Sequence, residues 1–356
     1  MRVLLALSLL AVVACGAPAA PAPPKPAVFA WRKLETVPYK GKQDDIFFPS
    51  PNVGYYGNGL GQIWKTVDAG TSWNKAFEKP GTYFRTIAFL DDRRGFAGNI
   101  GTDYFPGVTD ETPLYTTGDG GTTWTAATIA GDPVKGLCAL DILRVPFINA
   151  GILDHKVVIH AAGRVGGPAA LAVSNDEGVT WSAHPVENAG MILDVKFLDA
   201  KIGFLCAATS SEVEESHALI LKTTDGGLSW QPRYRGTRAF ENTWKCSFPS
   251  RKVGYATVQS YDPDKTRSKR IVIKTTDEGE TWNELPLVDD FAVREFGIGF
   301  LDDRIGWIGA MPHGFETQDG GASWKPVDFG KAVNKIRVVP HSAVYAIGSD
   351  VFKLQL

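Results

Sequence analysis

Methionine and cysteine are scarce in this 356-residue chain, at 3 and 4, and histidine numbers only 6. The cysteines show no CxxC spacing and the histidines (155, 160, 184, 217, 313 and 341) are scattered, so no metal site has support. Charge of one sign is lacking as well. Lys and Arg number 37 against 39 Asp and Glu, a formal net charge of -2, which leaves no basic field to attract nucleic acid. After the first 15 residues no apolar run is long enough to span a membrane, and no window keeps an apolar 3.6-residue period, which excludes helical solenoids. The GxSxG, HExxH, P-loop and dinucleotide-binding fingerprints are absent, and no cofactor is expected. What the chain has in quantity is glycine (38) and tryptophan (10), the mix of many strands joined by tight turns with aromatic wedges between them.

The N-terminal stretch MRVLLALSLLAVVAC carries one early positive charge, Arg2, and an apolar run too short to remain as a membrane helix. Val12-Val13-Ala14-Cys15 resembles a bacterial lipobox. That resemblance implies a signal peptide over 1–14, acylation of Cys15, and a Pro/Ala-rich tether over 15–29. An ordinary signal peptide with an incidental cysteine is the alternative. The expected location is the bacterial cell envelope, periplasm-facing or surface-exposed, with the lipid on Cys15 as the only membrane contact. Cys138, Cys206 and Cys246 lie in strand-like apolar runs and read as buried free thiols.

One pattern recurs six times: Ser or Thr, any residue, Asp, any residue, Gly, two more residues, Trp. It fits TVDAGTSW (Asp68, Trp73), TGDGGTTW (Asp119, Trp124) and SNDEGVTW (Asp176, Trp181). It fits again in TTDGGLSW (Asp225, Trp230), TTDEGETW (Asp277, Trp282) and TQDGGASW (Asp319, Trp324). The aspartates recur every 42 to 57 residues, the signature of a repeat architecture. Each aspartate can accept hydrogen bonds from its own turn, the glycine permits positive φ, and a buried Trp removes a large apolar surface from water. Six catalytic acids would serve no purpose, whereas six corners would. The aspartates and tryptophans are therefore assigned to the scaffold.

A second signature precedes most of these boxes, in IFFPSPNVGYYG, IAFLDDRRGFAG, VKFLDAKIGFLC, CSFPSRKVGYAT and IGFLDDRIGWIG. A Phe is followed six residues later by Gly and then an aromatic, at Phe48/Gly54, Phe89/Gly95, Phe197/Gly203, Phe248/Gly254 and Phe300/Gly306. Apolar residues at period two mark a strand, a turn and a second strand. The third unit keeps this logic but carries an insertion. Each unit then reads as four strands, and such sheets cover both faces only when stacked radially, which predicts a β-propeller. After Trp324 the chain holds three more short strands, and the N-terminal FAWRKLETV has the look of the missing fourth. An N-terminal strand closing the last blade gives an all-β, seven-bladed propeller over 30–356; an eighth blade would have to hide in the third insert.

The Ser/Thr-x-Asp-x-Gly-x-x-Trp motif is that of the Asp-box, or bacterial neuraminidase repeat. It occurs in sialidases, xyloglucanase-type hydrolases, sortilin-type receptors and the photosystem II assembly/stability factor family. The chain most resembles the last of these, although its repeats are longer and less regular. The resemblance implies that the Asp-boxes lie between strands three and four of each blade, on the face opposite the ligand loops.

Function then falls to the strand-two-to-three and strand-four-to-one loops, the longest of which belong to blades two to five. They carry a basic sector of Arg233, Arg235, Arg238, Arg267, Lys269 and Arg270, opposed by Asp103, Asp110, Glu111, Glu212, Glu214 and Glu215. These charges read either as solvated rim residues or as a bipolar protein-docking rim with Tyr104, Phe105 and Tyr261 as anchors. Sialidases are implied to need an arginine triad with a Tyr/Glu pair and an acid/base. Here Arg85, in YFRTIAF, together with Arg164 and Arg294-Glu295 could contribute, but the Phe-Arg-Ile-Pro signature is incomplete. The reading is a monomeric, lipid-anchored, non-catalytic propeller that binds a protein or glycan at its loop face as an assembly or scaffold factor. An exo-acting glycoside hydrolase or a carbohydrate-binding propeller is the alternative.

Overall fold

The computed structural model describes residues 27–149 and 152–356. The signal peptide, Cys15 and most of the tether lie outside the described residues. The chain forms seven sheets, six of four strands and one of five. Blade 1 is Asp45–Phe47, Gly54–Gly57, Gln62–Thr66 and Asn74–Glu78, paired in chain order from the centre outward. Blade 2 spans Phe84–Ala126, blade 3 Ala139–Pro185, blade 4 Met191–Arg235, blade 5 Glu241–Pro286 and blade 6 Arg294–Val327. In blade 7, Lys335–Val339, Ala343–Ile347 and Val351–Gln355 are completed by the N-terminal strand Trp31–Lys33, which pairs antiparallel with Trp31 opposite Leu354. The ring closes as the sequence predicts.

The third insert is not a blade. It lengthens the first two strands of blade 3 into the hairpin Ala139–Asn149 and Ile152–Gly163. The chain leaving blade 2 also adds a fifth strand, Ile129–Gly131, parallel to the outer strand Trp181–Pro185 of blade 3. That stitch ties two neighbouring blades together.

The Phe…Gly-aromatic signature is explained by contacts between blades. Where the next blade also carries the signature Phe, the aromatic after the glycine stacks on it: Tyr55 on Phe89 at 3.7 Å between ring centroids, Phe204 on Phe248 at 4.6 Å, and Tyr255 on Phe300 at 3.7 Å. Tyr345 of blade 7 stacks on Phe48 of blade 1 at 3.8 Å, which carries the series across the closure. Each Phe meanwhile meets the Asp-box Trp of its own blade edge-on, as Phe89 meets Trp124 and Phe300 meets Trp324. The glycine is needed because the Phe ring lies where its Cβ would be, at Gly54, Gly95, Gly203, Gly254 and Gly306 alike. Blade 3 tests this reasoning. It has Ile142 opposite Ile159 in place of the Phe and Gly, and its aromatic position is His160, which still stacks on Phe197 at 3.5 Å.

The six boxes form one turn, repeated. In blade 4 the Thr223 hydroxyl donates to Asp225 Oδ1 (2.7 Å) and accepts from the Gly227 amide (2.9 Å). Asp225 also accepts from the Ser229 amide (3.0 Å) and hydroxyl (2.5 Å). The same bonds recur around Asp68, Asp119, Asp176, Asp277 and Asp319. The hydroxyl and amide of Ser229 and the Thr223 hydroxyl hold the Asp225 carboxyl at about 2, below the ordinary range. Trp230 is buried, and its indole donates to the Gly227 carbonyl at 3.2 Å. Each box turn is bonded to the strand-one-to-two turn of its blade or its neighbour, as the Gly226 amide is to the Lys201 carbonyl and the Gly320 amide to the Arg304 carbonyl. These turns together make one face of the ring, and the long loops make the other.

Candidate functional site

The innermost strands run from the loop face toward the Asp-box face. The mouth of the channel is therefore lined by the residues that begin them, from blades far apart in sequence. Tyr83, Cys138, Met191, Leu193, Trp244, Phe296 and Ala332 fill it as one apolar cluster, so the centre is a packed plug and not a pore. A buried polar network threads the plug. Arg85 and Lys42 both pair with Asp44 Oδ1, at 2.7 and 2.6 Å, and the Tyr83 hydroxyl donates to Asp44 Oδ2. Asn334 donates to the Asp44 carbonyl (2.9 Å) and accepts from the Trp244 indole (2.7 Å) and from Lys42 (3.1 Å). Burial would raise the Asp44 carboxyl, but Arg85 and Lys42 overcome it and hold it at about 2. Burial lowers the Lys42 ammonium to about 8 against the pull of Asp44.

Arg85 is thus a buried structural cation, not a surface ligand: it is 3% exposed, and its guanidinium lies over the Trp244 ring. Arg164 is buried too, and it donates to the backbone carbonyls of Gly167 (2.8 Å) and Ile100 (3.2 Å). Burial pushes the Glu295 carboxyl up to about 8, and neither of its oxygens finds a hydrogen-bond partner among the described residues. The residues named for a sialidase-type centre are therefore committed to the scaffold or buried away from the surface, with Arg294 as the exception.

The basic sector is largely neutralised, and one member lies elsewhere. Arg233 sits on the outer strand of blade 4 and pairs with Glu280 in the Asp-box turn of blade 5 (3.1 Å), which removes it from the loop-face rim. Arg238 is clamped by Glu241 (2.6 Å) and Glu284 (2.9 Å). Arg267 pairs with Asp262 (2.9 Å) and Asp264 (3.0 Å) in its own loop. Arg270 is buried and donates to the Phe291 carbonyl at 2.7 Å. Arg235 and Arg294 have no carboxylate within ion-pair distance among the described residues; Arg235 lines a small pocket with Asn188–Gly190 and Thr209.

Around the mouth, Tyr104 and Phe105 pack against each other at 4.8 Å, and Phe105 against Tyr83 at 5.0 Å. The loop that holds them, between Asn99 and Leu114, is ordered by Asp110, which accepts from Tyr115 (2.6 Å) and Thr82 (2.5 Å). Across the mouth, a cleft of about 310 Å³ between blades 5 and 6 is lined by Tyr261, Asp262, Arg270, Phe291, Arg294 and Met311. Arg294 lies 4.8 Å over the Tyr261 ring, and Arg270 is 5.2 Å from the Phe291 ring. Tyr104, Phe291 and Met311 each stay about two-fifths exposed, at 40%, 38% and 39%. Phe291 and Met311 are not singled out by the sequence, and neither are Lys42, Asp44 and Trp244, because they are spread over several units with no local motif around them. Among the described residues no cluster of three or more metal-ligating side chains occurs, and no helix is long and apolar enough to cross a membrane.

No family model matches the chain. A sialidase from Micromonospora viridifaciens is 26% identical over 284 residues, which is 68% of this chain and 42% of that protein. The chain thus spans about two-fifths of the length of that relative. A solved structure of YCF48 bound to D1 peptide has a TM-score of 0.63 at 16% identity, covering 93% of this chain and 96% of that one. YCF48 from Cyanidioschyzon merolae matches at the same TM-score and identity over 92% and 99%. An ancestral GH74 enzyme scores 0.62 at 16% identity, over 91% of this chain but 45% of its own. The chain is a seven-bladed β-propeller whose fold is similar to that of YCF48, a photosystem II assembly factor, and to GH74 propellers.

Proposed function

We propose that this propeller is a non-catalytic scaffold that captures a protein partner at the loop-face mouth, and that an acylated Cys15 tethers it to a membrane of the cell envelope. The observation that carries the first part is the state of the charged groups. Arg85, Arg164, Arg238, Arg267 and Asp44 are engaged with other groups of the chain, while Tyr104, Phe291, Met311 and Arg294 are left exposed around the mouth. Aromatic residues and arginine around a partly apolar centre are the composition of protein-binding hot spots. The YCF48 neighbour, with its bound D1 peptide, lends support as a propeller of this fold that holds a peptide. Capture from detergent-solubilised membranes by the tagged protein, compared with a Tyr104→Ala, Phe291→Ala, Arg294→Glu variant, tests the reading. Bound partner is expected to fall at least about tenfold. Undiminished capture sinks the proposal. For the tether, the full chain is expected to take up a radiolabelled fatty acid and the Cys15→Ser variant is not.

A glycan-directed reading is favoured by one feature, the cleft that brings Tyr261, Arg270 and Arg294 together, and by the partial likeness to a sialidase. Release of an aryl aglycone from sialosides or xyloglucan oligosaccharides, abolished by Tyr261→Phe, would replace the scaffold reading with this one.

A further inference from the structure

The hairpin that lengthens blade 3 has no role in closing the ring. Its strands pair with each other as far as Asn149 opposite Ile152, whereas the third strand of the blade accompanies them only as far as Ile159. Beyond Val145, which still packs against the core, it reaches out by about 14 Å, at about 3.4 Å per residue, and Phe147 lines a pocket with Asn175 and Glu177 of the blade 3 box turn. Its distal residues are apolar and uncovered: Phe147 is 43% exposed, Ile148 69%, Ile152 71% and Leu153 62%. The register places Ile148 and Leu153 directly opposite each other on one face, while Phe147 and Ile152 lie on the other. The tip thus presents apolar side chains on both faces, with Asp154 beside Phe147 on the second. A protein groove covers one face of a ribbon, whereas lipid surrounds an inserted tip on all sides. Exposed Arg144, His155 and Lys156 follow the tip toward the ring, at the height where headgroups would lie, with Glu177 of the box turn lining the same pocket as Lys156.

The position of the chain's N-terminal side agrees. Ala27 is held by Gln318, which accepts from the Ala27 amide (2.9 Å) and donates to its carbonyl (2.7 Å). Gln318 immediately precedes Asp319 of the blade 6 box, so Ala27 lies at the Asp-box face. The hairpin, an enlarged strand-one-to-two turn, projects from that same face, about half the ring away.

We infer that the tip of the blade 3 hairpin inserts shallowly into a lipid bilayer. With the N-terminal segment it makes a second point of contact, which turns the Asp-box face to the membrane and the loop-face mouth away from it. The orientation rests on the proposed acylation of Cys15; the insertion of the hairpin does not.

Residues 27–356 contain all seven sheets and the strand that closes them, so protein lacking the first 26 residues isolates the hairpin from the anchor. In flotation with vesicles of equal parts phosphatidylethanolamine and phosphatidylglycerol, this protein is expected to rise with the lipid. Ile148→Asp with Leu153→Asp is expected to weaken binding at least about tenfold. Lys156→Glu is expected to weaken it on these vesicles but not on phosphatidylcholine. The substituted side chains are exposed, so an unchanged melting temperature confirms that each variant is folded. Failure of the unsubstituted protein to float, or flotation indifferent to the tip substitutions, overturns the inference. So does a hairpin-dependent dimer in sedimentation, which would make a second copy the occupant. If the full chain takes up no labelled fatty acid at Cys15 while the shortened protein floats, the hairpin stands and the anchor falls.

Discussion

Glu295 is the least comfortable residue of the molecule. It is fully buried on the innermost strand of blade 6, its carboxyl oxygens without a hydrogen-bond partner among the described residues, and burial raises its carboxyl to about 8. A folded pKa above the unfolded value of about 4.3 means that its contribution is complete below about pH 4 and is lost as pH climbs through about 8. Glu295→Gln is therefore expected to gain on the parent protein across that window, by at most about 5 kcal/mol, in urea titrations at the two extremes. His160 works in the opposite direction. Burial lowers its imidazole to about 4, so its share of stability is present above about pH 6.5 and is lost as pH falls toward 4. Gly254 answers to sterics instead. A Cβ there overlaps the Phe248 ring, so Gly254→Ala should lose about 1–3 kcal/mol by thermal or chemical denaturation. Combined with Phe248→Val the loss should fall short of the sum of the single changes, because the second change removes the ring that the first one strikes.

At the level of the element, the Asp-box turn is a self-contained hydrogen-bonded unit. Its carboxylate is satisfied by groups within four residues, so it needs nothing from the rest of the fold. Asp225→Ala should lower stability by about 1–2 kcal/mol without touching partner capture, while Trp230→Ala should lose about 3–5 kcal/mol because it empties the space beside Phe197. The depressed carboxyls also set an acid limit. Held at about 2 in the folded state against about 3.9 unfolded, they stabilise the ring above about pH 4 and lose that contribution as pH falls toward 2. A melting temperature that stays flat from pH 5 to pH 2 would show that the boxes are not the corners described here. Strand-one carboxylates make a second kind of element contact. Asp45, Asp141 and Asp194 each accept the backbone amide of the next blade's first strand, at Ile87, Phe197 and Cys246 (3.2, 2.8 and 3.1 Å).

For the whole molecule, closure is the decisive event. Trp31 stacks on Phe329 at 4.6 Å and meets Trp307 edge-on at 5.6 Å, while the strand it begins covers the edge of Val351–Gln355. A chain starting after Leu34 leaves that edge bare. It is expected to melt at least about 10 °C lower and to aggregate on refolding, measured by scanning calorimetry and light scattering. Closure also builds the mouth. Asn334 reaches Asp44 across 290 residues of chain, and Trp244 reaches Asn334 across 90, so the polar network exists only when the first and last blades meet.

The repeat, the turn and the aromatic pairs are local, and the amino-acid sequence determined them alone. Period-two apolar strands, a glycine six residues after a Phe and an Asp five residues before a Trp fix strands and corners within a few residues of themselves. Six boxed units, three more short strands and a stray fourth strand at the N-terminus determined the propeller. Tertiary structure decided the fate of the charges. Arg85, Arg233, Arg238 and Arg267 look alike in sequence, yet one is buried in the plug, one pairs across to a neighbouring box, and two are clamped by carboxylates near the rim. An ion pair depends on which side chains the closed ring brings within a few ångströms, and no spacing along the chain encodes that distance. The same reason hid Phe291 and Met311, and it left the insert in blade 3 readable as an insertion but not as an exposed apolar hairpin on the face where Ala27 lies.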